Sequence, residues 1–130
     1  MKEFKYLGKP TNEPTRTLDL IDWTGGRIVV RLECSEFSTL CPVTGQPDYG
    51  RLVIEYVPAG SLAETKSLKL YLWSYREERA FNETLVDRIA TDLFEQIQPR
   101  WLRATGTFHP RGGIGVTASA ERGNPEHRPS

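Results

Sequence analysis

The sequence predicts an α+β domain, with a four-stranded antiparallel sheet carrying two helices on one face. Runs of strand-like alternation come in tandem pairs near each end of the chain, and two stretches of helical period lie between them. The resulting order, strand-strand-helix-helix-strand-strand, favours antiparallel pairing over the parallel sheet that strict β-α alternation would build. The strands' second faces carry Arg31, Glu33, Glu55, Arg103, Thr105 and Thr107, too polar for a second core, so the helices cover only one side.

Each element has its own signal. Residues 1–24 are broken by Pro10 and Pro14 and show no period, which predicts an N-terminal arm, loosely ordered or lying on a neighbour. After the turn signal Gly25-Gly26, residues 28–34 alternate. Ile28, Val30, Leu32 and Cys34 share the apolar face, making Cys34 a structural cysteine. Residues 37–49 then form a Pro/Gly-rich loop, and residues 52–57 a second strand ended by Pro58-Ala59-Gly60. Residues 64–79 are rich in helix formers, with Leu68, Leu72 and Tyr75 near one face. The clearest helix covers 82–98. Phe81, Leu85, Ile89, Leu93 and Ile97 recur every fourth residue, with Asn82 as N-cap, Glu83 in the first turn and Pro99 as the stop. Strands over 101–108 and 114–119 flank the turn Arg111-Gly112-Gly113. Residues 121–130, rich in proline and charge, predict a frayed tail, which leaves 25–120 as the single folded domain.

The totals bound the function. Seventeen basic and seventeen acidic side chains balance, so no global field draws in nucleic acid or an anionic membrane. No apolar run approaches the ~18 residues of a membrane span. No hydrophobic segment follows Met1, and two cysteines without an export signal suit a reducing compartment, so a cytoplasmic protein with free thiols is expected. Open sheet edges invite pairing. A ring of subunits joined edge to edge, with polar faces turned inward, would cover them, and a homo-oligomer is expected.

Cys41 stands in the 37–49 loop with Asp48 seven residues on, across a turn bounded by Pro42 and Pro47. A thiolate there could attack an electrophilic carbon while the acid hands a proton to a neighbouring nitrogen. The same residues also fit an inter-strand turn with a buried thiol and an aspartate bonding its own backbone. Lys66 and Lys69 lie three apart on one helical face near an N-terminus, and Arg111 is a further cation in a tight turn. They suit a phosphorylated ligand or a solvated surface. Glu83 could present a carboxylate to the paired N–H groups of a purine-like base. Metal chemistry is poorly supported: His109 and His127 are the only histidines, and no cysteine pair has zinc spacing.

These segments together resemble the 7-cyano-7-deazaguanine reductases, the NADPH-dependent nitrile reductases of queuosine biosynthesis, in their single-module form. The likeness runs from about Val30 to Gly123. It rests on the loop from Glu36 to Asp48 (EFSTLCPVTGQPD), the segment from Glu64 to Tyr71 (ETKSLKLY), and Pro110-Arg111-Gly112-Gly113-Ile114. The resemblance implies the tunnelling fold, a β-β-α-α-β-β unit assembling into a barrel-like homo-oligomer with active sites between subunits. It implies Cys41 as the nucleophile forming a thioimide and Asp48 as general acid/base. Glu83, with Asn82 beside it, would hold the deazaguanine, and Lys66, Lys69, Arg111 and Gly112 would hold NADPH.

One position departs from the family pattern. Where the family has Phe-His-Glu, this chain reads Phe81-Asn82-Glu83, and asparagine cannot carry a proton at neutral pH. A slower or differently pH-dependent reductase is expected, with Asp48, His109 or water taking over any relay. Two rivals remain at this point: an amidine-forming relative acting on the same nitrile, and a tunnelling-fold module that binds a purine-like ligand without turnover.

Overall fold

The structure is a computed structural model that describes Phe4 and residues 13–130. Six strands and two helices follow in order: β1 (Leu20–Asp22), β2 (Val30–Leu40), β3 (Pro47–Val57), β4 (Ser61–Ala63), α1 (Thr65–Trp73), α2 (Asn82–Ile97), β5 (Trp101–Arg111) and β6 (Ile114–Gly123). The main sheet is antiparallel throughout, in the order β2-β3-β5-β6, and β1 pairs with β4 in a small second sheet. The predicted α+β order is therefore present, with β1 and β4 added. No helix among the described residues is long and apolar enough to cross a membrane.

The core lies between the sheet and the helices. Leu52, Ile54, Tyr56, Leu102, Ala104 and Phe108 come from the sheet, and Leu85, Ile89, Leu93 and Ile97 from α2, all of them buried. The every-fourth-residue pattern of α2 is the stripe that meets β5 and β6. α1 adds Leu68, Tyr71 and Leu72, and leaves part of the β2 side of the sheet uncovered as a groove.

Several boundaries differ from the sequence expectation. The segment 37–49 is mostly strand: β2 runs on to Leu40 and β3 begins at Pro47, so only 41–46 form the connection. Hairpin pairing of Leu40 with Pro47 and Thr39 with Asp48 outweighs the local Pro/Gly signal. A bulge between Cys34 and Phe37 inserts one residue into β2, so the inward phase moves from Val30, Leu32 and Cys34 to Phe37 and Thr39.

α1 stops at Trp73, and residues 74–77 form turns. Asn82 is the first residue of α2, not its cap; Phe81 occupies the cap position, and no side chain caps this helix. β6 continues to Gly123, and Asn124 caps a 3-10 turn over Pro125–His127. Arg128 then bonds back to Glu121 at 2.8 Å, so the expected tail from 121 is folded at least this far. Of the expected N-terminal arm, residues 1–3 and 5–12 lie outside the described residues. Residues 13–24 lie on the domain, with Leu18 and Asp19 buried.

The face of the sheet away from the helices is polar in a regular way. Arg31, Glu55, Arg103 and Glu121 stand opposite one another on successive strands, one row across the whole sheet with alternating charge. Glu55 receives Arg103 at 3.0 Å and Arg31 at 3.5 Å, and Arg103 reaches Glu121 at 4.0 Å. Beside this row Glu33 is held below the usual carboxylate range by hydrogen bonds from Arg51 and then Arg31. Glu121 is held low by the Trp101 indole N–H and then Arg128. Both shifts are downward, so their stabilising contribution is present above the ordinary carboxylate range. It fades as acid brings the pH through the lowered values.

α1 begins where it does because of Glu64. Its buried carboxylate accepts from the backbone N–H groups of Lys66 and Ser67, at 2.8 Å each. Ser67 in turn accepts from the Asp19 N–H at 2.9 Å, tying the N-terminal segment to the same helix end. Replacing Glu64 with alanine removes the acceptor of two amide donors, one buried and one part-buried. Glu64→Ala should lower the unfolding free energy by about 1–3 kcal/mol, read from the urea midpoint at constant slope.

Candidate active site

The connection between β2 and β3 is tight. The Cys41 N–H donates to the Gln46 carbonyl at 2.8 Å, and the Gly45 N–H returns to the Cys41 carbonyl at 2.9 Å. Within this six-residue turn the Cys41 thiol is partly exposed and reduced. Its pKa lies below the ordinary thiol value. The Thr44 hydroxyl does most to lower it, followed by the backbone N–H groups of Thr44 and Val43. Partial burial and the negative charge of Asp48 pull the other way. Donors aimed at the sulfur favour the thiolate, the attacking form. Thr44 is a contributor that sequence reasoning missed; a threonine in a turn carries no signal of where its hydroxyl points.

Asp48 stands on β3 beside this turn, its side chain only 11% exposed. Arg111, from the β5–β6 hairpin, pairs with it at 2.5 Å and also donates to the Pro47 carbonyl at 2.5 Å. The turn that delivers Arg111 needs Gly112 and Gly113, both with positive φ (59° and 80°), as a two-residue hairpin requires. Cys41, Asp48 and Arg111 are thus gathered at one end of the sheet. Arg111 is engaged with the acid, apart from the two lysines with which the sequence grouped it.

Asn82 and Glu83 open α2, directly after residues 78–80, which run beside the end of β2. Glu83 is exposed, as the acidic residue of the first turn. The Asn82 side-chain oxygen is buried and has no hydrogen-bond partner among the described residues. An acceptor in that state has the capacity to take one further N–H or O–H donor.

Lys66 and Lys69 lie one turn apart on α1. Lys69, Thr65 and Arg76 line the groove between α1 and β2, a cavity of about 550 Å³ floored by Leu32, Cys34, Leu52 and Leu68. A second cavity of about 560 Å³ is lined by Leu40, Pro47, Tyr49 and His109 near the Cys41 turn. The two share Glu36, Ser38 and Arg76 as a common wall. The eight sequence-predicted residues do not meet in one pocket of a single chain. Cys41, Asp48 and Arg111 form one group, Asn82 and Glu83 open α2, Lys69 stands at the far groove and Lys66 lies elsewhere on α1. Cations around an apolar slot fit the phosphates and ring systems of a dinucleotide cofactor.

Comparison with known proteins places the chain in a family. The family model for QueF-like protein matches residues 47–127. A curated NADPH-dependent 7-cyano-7-deazaguanine reductase from Anaeromyxobacter sp. (strain Fw109-5) is 48% identical over 94 residues, covering 72% of this chain and 77% of the relative. One of the same name from Halorhodospira halophila is 43% identical over 113 residues, covering 85% and 96%. In fold, the chain is similar to the crystal structure of the archaeosine synthase QueF-Like in the apo form. The TM-score is 0.69 at 24% identity, over 74% of this chain and 94% of that one. A β-β-α-α-β-β sheet of tunnelling-fold type, a cysteine–aspartate hairpin and these likenesses coincide, and the chain belongs to the QueF-like protein family.

Proposed function

We propose that this protein is an NADPH-dependent 7-cyano-7-deazaguanine reductase, a cytoplasmic enzyme that converts the nitrile to a primary aminomethyl group for queuosine synthesis. The observation that carries the reading is the hairpin that sets a thiol of lowered pKa beside the nearly buried Asp48. The names of the curated relatives support the substrate and cofactor. The cations of α1 favour reduction over amidine formation from the same nitrile.

Cys41 supplies the nucleophile. The Asp48 carboxylate takes the thiol proton as the sulfur bonds to the nitrile carbon; one π pair of the triple bond moves to nitrogen, and Asp48 passes the same proton on to it, giving a neutral thioimide. A nitrile is a poor hydride acceptor, and the protonated thioimide is a much better one. Arg111 keeps Asp48 oriented at the hairpin. Glu83 offers two acceptor oxygens to the N–H groups of the deazaguanine, and the Asn82 oxygen can take one more. Lys66, Lys69 and Arg76 would hold the cofactor, whose chemistry when bound is delivery of two hydrides per nitrile. Breaking the carbon–sulfur bond returns the electron pair to Cys41 for the next cycle.

The grouping of residues also favours a site built by more than one copy. β2 and β6 are the outer strands of the main sheet, and they run in opposite directions. Their row of charges starts with Arg31 at one edge and ends with Glu121 at the other. A second copy placed β2 against β6 continues both the antiparallel order and the alternation of charge, so the homo-oligomer reading has complementary edges.

Mass spectrometry of the intact chain with the nitrile base and no NADPH should show an adduct on Cys41. Cys41→Ala should lose both the adduct and nitrile-dependent NADPH oxidation; turnover by that variant would refute covalent catalysis. Asn82→His should change the pH–rate profile, and an unchanged profile would show that position 82 carries no proton. In light scattering the protein should be a homo-oligomer, and Glu121→Gln should raise the concentration at which it dissociates. A wild-type monomer at micromolar concentration would rule out edge pairing.

A further inference from the structure

The connector between α1 and α2 holds the nucleophile hairpin directly. The Glu78 carbonyl accepts from the Leu40 N–H at 2.9 Å and from the buried Thr39 hydroxyl at 2.6 Å. The Ala80 N–H donates to the Leu40 carbonyl at 3.4 Å, so residues 78–80 form a short parallel bridge beside the last residue before Cys41. From the same segment the Arg79 guanidinium lies against Gly45 inside the Cys41 turn. A Cβ built on Gly45 would sit 2.5 Å from an Arg79 nitrogen, and the residue's φ is +71°. The turn is therefore gripped at its β2 stem by backbone and at Gly45 by a side chain.

What fixes the connector is the Glu78 carboxylate. One oxygen takes the Arg16 guanidinium at 2.6 Å, and the other takes Arg88 of α2. Arg16 is itself held: it stacks 3.9 Å from the centre of the Tyr75 ring, donates to the Ser74 hydroxyl, and its carbonyl accepts from Gln96 at 2.8 Å. Arg16, then Arg88, hold the Glu78 carboxyl below the usual range against partial burial. An isolated surface ion pair is worth little. Here one carboxylate joins the N-terminal segment, the connector and α2, and the carbonyl of the same residue carries the hairpin.

Resting on the reading of Cys41 as nucleophile, we propose that Glu78 is a positioning residue. Locked by Arg16 and Arg88, it holds residues 78–80 against Thr39 and Leu40, and so keeps the Thr44 and Val43 donors aimed at the Cys41 sulfur. Glu78 touches neither the thiol nor any site proposed for substrate. The charged groups around Cys41 are Asp48 of β3, Arg111 of β5 acting on Asp48, and Arg79 on the turn. Neutralising Glu78 removes a negative charge and frees Arg16 and Arg88, a change whose field would by itself favour the thiolate, so an upward shift at the sulfur must come through geometry.

The test reads the thiol itself. The pH dependence of Cys41 alkylation by iodoacetamide is measured in a Cys34→Ala background, for wild type, Glu78→Gln, Arg16→Gln and Glu78→Asp. Glu78→Gln should move the midpoint upward and slow alkylation at neutral pH by about threefold or more, because less thiolate is present. Circular dichroism should remain that of the folded protein. Arg16→Gln, which leaves Arg88 in place, should move the midpoint part of the way, and Glu78→Asp should recover much of it. A folded Glu78→Gln with the wild-type profile would overturn the proposal; if that variant does not fold, an unmoved profile in Arg16→Gln does so. Alkylation needs neither nitrile nor NADPH. A protein that fails to reduce the nitrile but shows the shifted profiles therefore loses the proposed function and keeps this inference.

Discussion

The extra residue in β2 is the constraint on which the Cys41 end of this domain depends. With a strict two-residue period, the inward face that starts at Val30 would continue through Glu36 and Ser38, placing a carboxylate and a hydroxyl against the core. The bulge after Cys34 shifts the phase, so that Phe37 fills the space beside Tyr75 and Phe108 and Thr39 turns its hydroxyl inward. Only from that orientation can Thr39 reach the Glu78 carbonyl, and only then does the strand end meet the connector. The position of Cys41 follows from a decision made several residues earlier in the strand.

The electrostatics at the sulfur are a contest between neutral donors and a nearby anion. A hydroxyl and two amides stabilise the thiolate locally, while Asp48 opposes it through space. Arg111 on the same carboxylate answers part of that opposition, so the acid can remain beside the thiol without suppressing its thiolate form. Neither group is fully buried, which keeps the pair accessible to a small substrate. Each strand thus brings one component, and the two hairpin turns set the distances between them.

Much of the fold was legible because its signals are periodic. α2 shows its stripe at every fourth residue, and β3 and β5 show theirs in the buried aliphatic residues that face it. What escaped the sequence depends on pairing. Residues 37–40 and 47–49 read as loop from Pro42, Gly45 and Pro47, yet the ladder to the partner strand outweighs local preference. The cap of α1 was missed because glutamate is not among the usual capping residues, and only burial reveals what Glu64 does. Asn82 has the right chemistry for a cap but sits one residue too far in, leaving its oxygen for another purpose. Of the site, Cys41 and Asp48 were visible as a thiol and an acid across a short turn. Glu78 and Arg16 were not, since 62 residues separate them and neither belongs to a motif.

That Asn82 oxygen has a further consequence. It is shielded from water and has no donor to accept from among the described residues, so, with Asn82 facing the base as proposed, it would act as a polarity filter on the edge brought against it. A group offering a proton would be welcomed, whereas one offering a lone pair would meet repulsion and lose its hydration without return. Two heterocycles of the same outline, differing only in which side of a ring nitrogen bears hydrogen, would be sorted by this atom. Shape alone could not tell them apart.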